Sequence, residues 1–226
     1  ELVEALVARG YHVIRYDNRD IGLSTKFTQH GVPNVRKVVL MRLFGLRPKL
    51  PYRLTDMADD AVGLLDALGI DKAHIVGASM GGMIAQLVAA TYPQRTRSLT
   101  SIMSTTGNRR VPPARKEAFQ ALTAPPPANP TLEQIIPHVT RIARAIGSPA
   151  YPTPEARLVE RITRDFQRSF HPTGSARQLA AIIDDGCRRA RLKNVTAPSL
   201  VIHGVDDPLV RVEGGRDTAA HIVGAR

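Results

Sequence analysis

Apolar and polar positions follow two rhythms along this chain. Residues 1–9 (ELVEALVAR) carry apolar side chains at helical spacing, and Gly10 suits a helix end. Tyr11 to Asp17 (YHVIRYD) is rich in β-formers and predicts a short strand. Asn18 to Pro51 predicts mostly loop, with a short helix around Val35 to Phe44. Thr55 to Leu68 predicts an amphipathic helix, with Thr55 as N-cap, acids in its first turns at Asp56, Asp59 and Asp60, and Gly69 ending it. Ala73 to Ala78 (AHIVGA) is an apolar strand, and Met80 to Tyr92 a helix stopped by Pro93. Arg97 to Ser104 and Pro198 to His203 predict two more strands, and Val212 to Ile222 a last helix. Strands alternating with helices predict an α/β fold with a mostly parallel sheet covered on both faces.

The middle breaks that rhythm. From Gly107 to Lys193 the patterns are helical, divided by the Pro-rich stretch Pro125 to Pro130, and no convincing strand occurs. The expected organisation is therefore a first core segment over 1–106, a helical lid inserted at 107–193, and a second core segment over 194–226.

Composition narrows the function. The 226 residues carry 31 Lys and Arg against 20 Asp and Glu, a net charge of +11. A basic chain raises the possibility of nucleic-acid binding. Most of the excess, however, sits in 107–193, where arginines recur at helical spacing (Arg157, Arg161, Arg164, Arg168) with no interleaved aromatics to stack bases. That is the pattern of a solvated helix face, so no nucleic-acid partner is expected. The single cysteine, Cys187, excludes an intramolecular disulfide framework, and the histidines lack metal-ligand spacing. The longest apolar stretch, Ile75 to Ala90, is too short and too interrupted by glycine to span a bilayer, so no membrane partner is expected. Any leader would lie upstream of Glu1, and cytoplasm is taken only as the default compartment.

The chemistry lies in Ile75-Val76-Gly77-Ala78-Ser79-Met80-Gly81-Gly82, which contains G-x-S-x-G. An apolar strand leads in and a helix leads out, the setting of a nucleophile elbow. A serine on so sharp a turn needs small neighbours, which Gly77 and Gly81 supply. The N–H of Met80, at the helix start, can bind an oxyanion. Met80, Met83 and Met103 are adaptable apolar groups near the elbow, and Met83, Met103 and His203 are candidate pocket residues.

Two further segments share a pattern with this one. Asp17-Asn18-Arg19-Asp20-Ile21-Gly22-Leu23-Ser24 resembles a D-x-R-x-x-G-x-S loop, and His203-Gly204-Val205-Asp206-Asp207-Pro208 resembles an H-G-x-x-D-P loop. With the elbow between them, the chain resembles the α/β-hydrolase superfamily over nearly its whole length. The first loop is similar to the branch that includes aclacinomycin methylesterase and proline iminopeptidase-like hydrolases. The resemblance implies that Ser79 is the nucleophile, that Asp207 rather than Asp206 orients a catalytic histidine, and that the Met80 N–H is an oxyanion donor. It implies structural roles for Asp17, Arg19 and Ser24. The implied reaction is cleavage of a small-molecule carboxylic ester through an acyl-enzyme, without cofactor or metal. A lactone or an N-terminal peptide bond is an alternative substrate, and ligand capture without turnover an alternative activity.

In the family order the histidine follows the acid. Only His221 does so here, within a helical pattern that lacks the family's strand-and-glycine setting. The resemblance places that histidine beyond Arg226 and the oxyanion strand before Glu1. The expectation is an internal piece of a longer hydrolase.

Overall fold

The computed structural model describes residues 2–226. Three strands form one parallel sheet in the order β1 (Ala73–Ala78), β2 (Thr96–Ile102) and β3 (Ser199–Ile202). The register pairs Ala78 with Ile102 and Ile102 with Ile202, so the three carboxyl ends lie level along one edge. On the outer side of β3, Arg226 N–H donates to Ser199 O (3.1 Å) and Val201 N–H donates to Arg226 O (2.8 Å).

Helix α4 (Met80–Thr91) packs on β1 and β2 and is buried along almost its whole length, from Gly82 to Ala90. Its sequence, MGGMIAQLVAAT, is apolar on every side, as a helix enclosed by other elements must be. One side of α4 meets α3 (Leu54–Ala67), whose Leu54, Met57, Val62 and Leu65 are buried. The other meets Leu99, Leu192, Val195 and Ile222.

Two local expectations are corrected. Tyr11 to Asp17 forms no strand among the described residues; it makes no ladder hydrogen bond. Tyr11 reaches the ring of His74 on β1 edge-on, with centroids 6.0 Å apart, but no backbone pairing accompanies that contact. A strand is defined by its partner, and β propensity alone does not supply one. The N-cap of α3 is Arg53, not Thr55; Asp56 accepts from the Arg53 N–H at 2.7 Å, closing the first turn one residue before Leu54.

Between β2 and β3 the chain is helical. It runs through α5 (Lys116–Thr123), α6 (Leu132–Ile146), α7 (Glu155–Arg168), α8 (Pro172–Asp185) and the short α9 (Arg189–Leu192). Helices α6 and α7 share a small core of Ile135, Leu158 and Ile162. The stems of this excursion cross each other. A Cβ on Gly107 would lie 2.0 Å from Gly186 O, and Arg188 N–H donates to Thr106 O at 2.7 Å. The Arg188 side chain is 1 % exposed and donates to Thr105 O (2.6 Å), Gln86 Oε1 (3.2 Å) and the Asp185 carboxylate. The last helix, α10 (Val212–Ala220), supplies Asp217, which accepts from Thr106 Oγ1 and from Arg189.

The loop after Tyr16 is tied to the same helices. Asp20 and Arg177 are fully buried and meet through two hydrogen bonds, Nε to Oδ2 at 2.7 Å and Nη2 to Oδ1 at 2.8 Å. Gln178 donates to Arg19 O (2.9 Å), and Arg168 pairs with Asp17 (2.6 Å). Ser24 Oγ donates to Asp17 O (2.6 Å), and Arg19 forks onto the Asp60 carboxylate at 2.7 and 2.6 Å. Asp17, Arg19 and Ser24 thus brace the fold.

Candidate active site

Ser79 joins β1 to α4 with φ +54° and ψ −119°. A non-glycine residue here is strained and stays only where its surroundings hold it. Three hydrogen bonds do so. Ser79 N–H donates to Ile102 O (2.9 Å), Ser104 Oγ donates to Ser79 O (2.9 Å), and Met83 N–H donates to the same carbonyl (3.1 Å). Ser79 Oγ itself is half-buried and makes no hydrogen bond among the described residues.

The glycines around it are not equivalent. A Cβ on Gly77 would lie 2.0 Å from Gly81 O, and one on Gly82 would lie 2.6 Å from Ser104 Cβ. A Cβ on Gly81 would meet nothing within 4 Å. The expectation that Gly77 and Gly81 relieve the clash is therefore corrected: the required pair is Gly77 and Gly82. The paired glycines in the sequence were the available signal; the position of Ser104 was not.

Met80 is the first residue of α4, and the first N–H groups of a helix have no partner within it. They end a helix of 12 residues whose dipole is positive at this end.

The acid loop leaves β3 at Ile202. Asp207 Oδ1 accepts from Leu209 N–H and Val210 N–H, both at 2.9 Å, and Oδ2 lies 3.6 Å from His203 Nε2. Burial pushes the Asp207 carboxyl up, but His203 and the two N–H groups outweigh it and hold the acid ionised. His203 Nε2–H donates to Val210 O at 2.6 Å. Burial likewise opposes the charged imidazole, while Asp207 and the Val210 carbonyl favour it and raise its pKa. Its Nδ1 is buried without a partner, and a Cβ on Gly215 would lie 2.5 Å from it. His203 is thus enclosed beside the acid. It holds the loop and does not line an open pocket.

Level carboxyl ends bring these pieces to one edge. Ser79 follows β1, Met103 follows β2 and His203 follows β3. With neighbouring strands roughly 5 Å apart, the backbones of Ser79 and His203 are about 10 Å apart across β2. The crevice beyond the carboxyl ends of parallel strands is where such sheets bind ligands. Met103 stands there at φ +41° and 43 % exposed. Met83 does not: it is buried between α3 and α4, in the cluster with Leu87 and Val62, so its expected place in a pocket is corrected to the core.

None of the seven histidines hydrogen-bonds Ser79 Oγ. His221 caps the far end of α10, its Nδ1 2.8 Å from Asp217 O. Cys187 is exposed. Two cavities, of about 580 Å³ beside Tyr151 and Arg161 and about 430 Å³ beside Tyr16 and Asp60, are not lined by Ser79, Met80 or Asp207. Among the described residues no group of three His, Cys, Asp or Glu could hold a metal ion, and no helix is long and apolar enough to cross a membrane.

Comparison with known proteins places the chain in a family. The family model described as the alpha/beta hydrolase fold matches residues 1–224. The chain is similar to rhodomycin D methylesterase DauP of Streptomyces sp. (strain C5), 38 % identical over 103 residues, which is 46 % of this chain and 28 % of that protein. It is similar to 3-oxoadipate enol-lactonase 2 of Acinetobacter baylyi, 27 % identical over 217 residues, which is 94 % of this chain and 68 % of that protein. Among solved structures, the enol-lactonase from Burkholderia xenovorans LB400 superposes with a TM-score of 0.67 at 25 % identity, covering 98 % of this chain and 73 % of that one. The matched part of the chain thus spans little more than a quarter of the methylesterase.

Proposed function

Because the chain belongs to the alpha/beta hydrolase fold family, we propose that the whole protein is a serine hydrolase that cleaves a carboxylic ester of a small apolar substrate. The observation that carries this reading is the strained Ser79, held at φ +54° between β1 and α4 with its hydroxyl unbonded. Ser79 Oγ attacks the ester carbonyl, a histidine takes its proton, and the N–H of Met80 binds the developing oxyanion. The alcohol leaves with that proton, and water then releases the acid from the acyl-enzyme. Asp207, held ionised, is the group that orients the histidine and stabilises its charged form. The reading calls for an imidazole at Ser79 that residues 2–226 do not place there. The chemistry uses no cofactor.

A lactone, an internal ester opened by the same attack, is the second reading. It is favoured by the length of the match to the enol-lactonase, 217 residues against 103 for the methylesterase. The test is labelling of the whole protein by a serine-directed phosphonate, followed by turnover of methyl esters and lactones. Ser79→Ala is expected to abolish labelling and to lower turnover by roughly 10⁴-fold or more. Labelling that survives in Ser79→Ala refutes the assignment. A folded whole protein that is never labelled supports ligand capture instead.

A further inference from the structure

Residues 21–55 contain seven Lys and Arg and no Asp or Glu. Within them lies α2 (Val35–Leu43), which packs on α8 and buries Val38. The opposite stripe of α2 is also apolar: Val39, Leu40 and Leu43 are 40 %, 55 % and 60 % exposed. The chain then turns at Gly45 (φ +73°), and the flanking Phe44 and Leu46 are 74 % and 56 % exposed. Single exposed leucines are ordinary, but a contiguous run of this kind marks a contact surface.

The charge around the stripe selects what covers it. Arg36, Lys37, Arg47 and Lys49 are exposed and form no ion pair among the described residues. Arg109 adds a fifth guanidinium or ammonium group, donating from Nη2 to Arg42 O at 3.0 Å. A second copy of this chain is disfavoured, because a two-fold contact would bring these like charges together. An anionic bilayer satisfies both features at once. Apolar side chains on a helix and its following turn enter the headgroup boundary, and the cations meet lipid phosphates.

We propose that α2 and the turn at Phe44–Leu46 form a peripheral docking surface for an anionic lipid bilayer. The helix lies in the interface and spans nothing. The sequence suggested no membrane partner because no segment could cross one; lying on a bilayer needs no such segment.

The test is flotation of the whole protein with vesicles of phosphatidylcholine, alone or with about 30 mol % phosphatidylglycerol. Partition is expected to be about tenfold greater on the anionic vesicles and to fall as salt is raised. The double variant Leu43→Asp/Phe44→Asp should lose about tenfold or more of that partition. Arg36→Glu/Lys37→Glu, which changes only exposed charges, should weaken it and decides the matter if the first variant does not fold by circular dichroism. Tyr151→Ser, at an exposed residue on another element, should bind as the parent does. Equal binding to neutral vesicles, or anionic binding unchanged in the folded variants, overturns the proposal. So does a protein that ignores vesicles and is a dimer dissociated by Leu43→Asp/Phe44→Asp.

Discussion

Replacing Arg177 by Met isolates the effect of the buried pair that ties the loop at Asp20 to α8. The two side chains are 0 % and 1 % exposed, and Arg177 also donates to Gly31 O at 2.7 Å. Burial alone would push the Asp20 carboxyl up; the Arg177 guanidinium and the Phe27 N–H reverse that and bring it to about 2 from 3.8. At about 1.4 kcal/mol per pH unit, that difference is about 2 kcal/mol of stability. Its sign is fixed by the direction. The folded pKa lies below the unfolded one, so the stabilisation is present above pH 3.8 and is lost as pH falls toward 2. Removing Arg177 leaves a buried unpaired carboxylate, at a cost of about 3–5 kcal/mol near pH 7. Without the guanidinium, burial is opposed only by the Phe27 N–H and by groups such as His171, 3.6 Å away, so the carboxyl's pKa rises above its value in the parent and the variant loses less stability than the parent as pH falls. The gap between parent and variant should therefore narrow from pH 7 toward pH 2. Asp20→Asn is the companion change, because Asn tolerates the left-handed backbone found there (φ +71°). Urea midpoints of the parent, both single variants and the double variant, taken across that pH range, give the coupling directly. A gap below about 1 kcal/mol at pH 7, or one that stays constant with pH, refutes the reasoning.

Two predictions concern the site itself. Gly77→Ala drives a Cβ into Gly81 O and should cost several kcal/mol or prevent folding, whereas Gly81→Ala should be neutral or stabilise by up to about 1 kcal/mol, helix propensity favouring Ala; thermal melts of the two variants compare them, and equal losses would count against the packing described. His203 should titrate above 6.5 by NMR, and Asp207→Asn should lower that value; its stabilisation is complete below 6.5 and is lost as pH rises through the folded pKa, so a titration at or below 6.5 contradicts the pairing with Asp207.

What the sequence revealed was local, and what it hid was tertiary. The apolar runs at 73–78 and 199–202, the glycines beside Ser79 and the proline after Tyr92 act over a few residues, so β1, β3 and α4 were legible. Tyr11 to Asp17 has the composition of a strand, but pairing depends on a neighbour that no local pattern supplies. Arg177 and Arg188 lie in the arginine-rich middle segment, whose charge reads as solvated surface, yet both are 1 % exposed because Asp20 meets the first and Gln86 and Thr105 O meet the second, all from distant parts of the chain. The elbow serine and the acid before Pro208 were nameable from motifs. That His203 is enclosed, that Met83 belongs to the core and that Ser104 grips the Ser79 carbonyl all depend on packing across strands.

The crossing of Gly107 and Gly186 makes the helical excursion modular. Its two stems meet at one point, pinned by Arg188 and Asp217, so the path between them is closed at its base. Doubling the length of such a closed path costs only about 0.6 kcal/mol in loop entropy. Helix α8 is fixed to the body by Arg177 and Gln178, but α5, α6 and α7 pack mainly on one another and can be lengthened, shortened or exchanged while the strand ends keep their register. Change confined to those helices leaves the pairing of the three strands as it is.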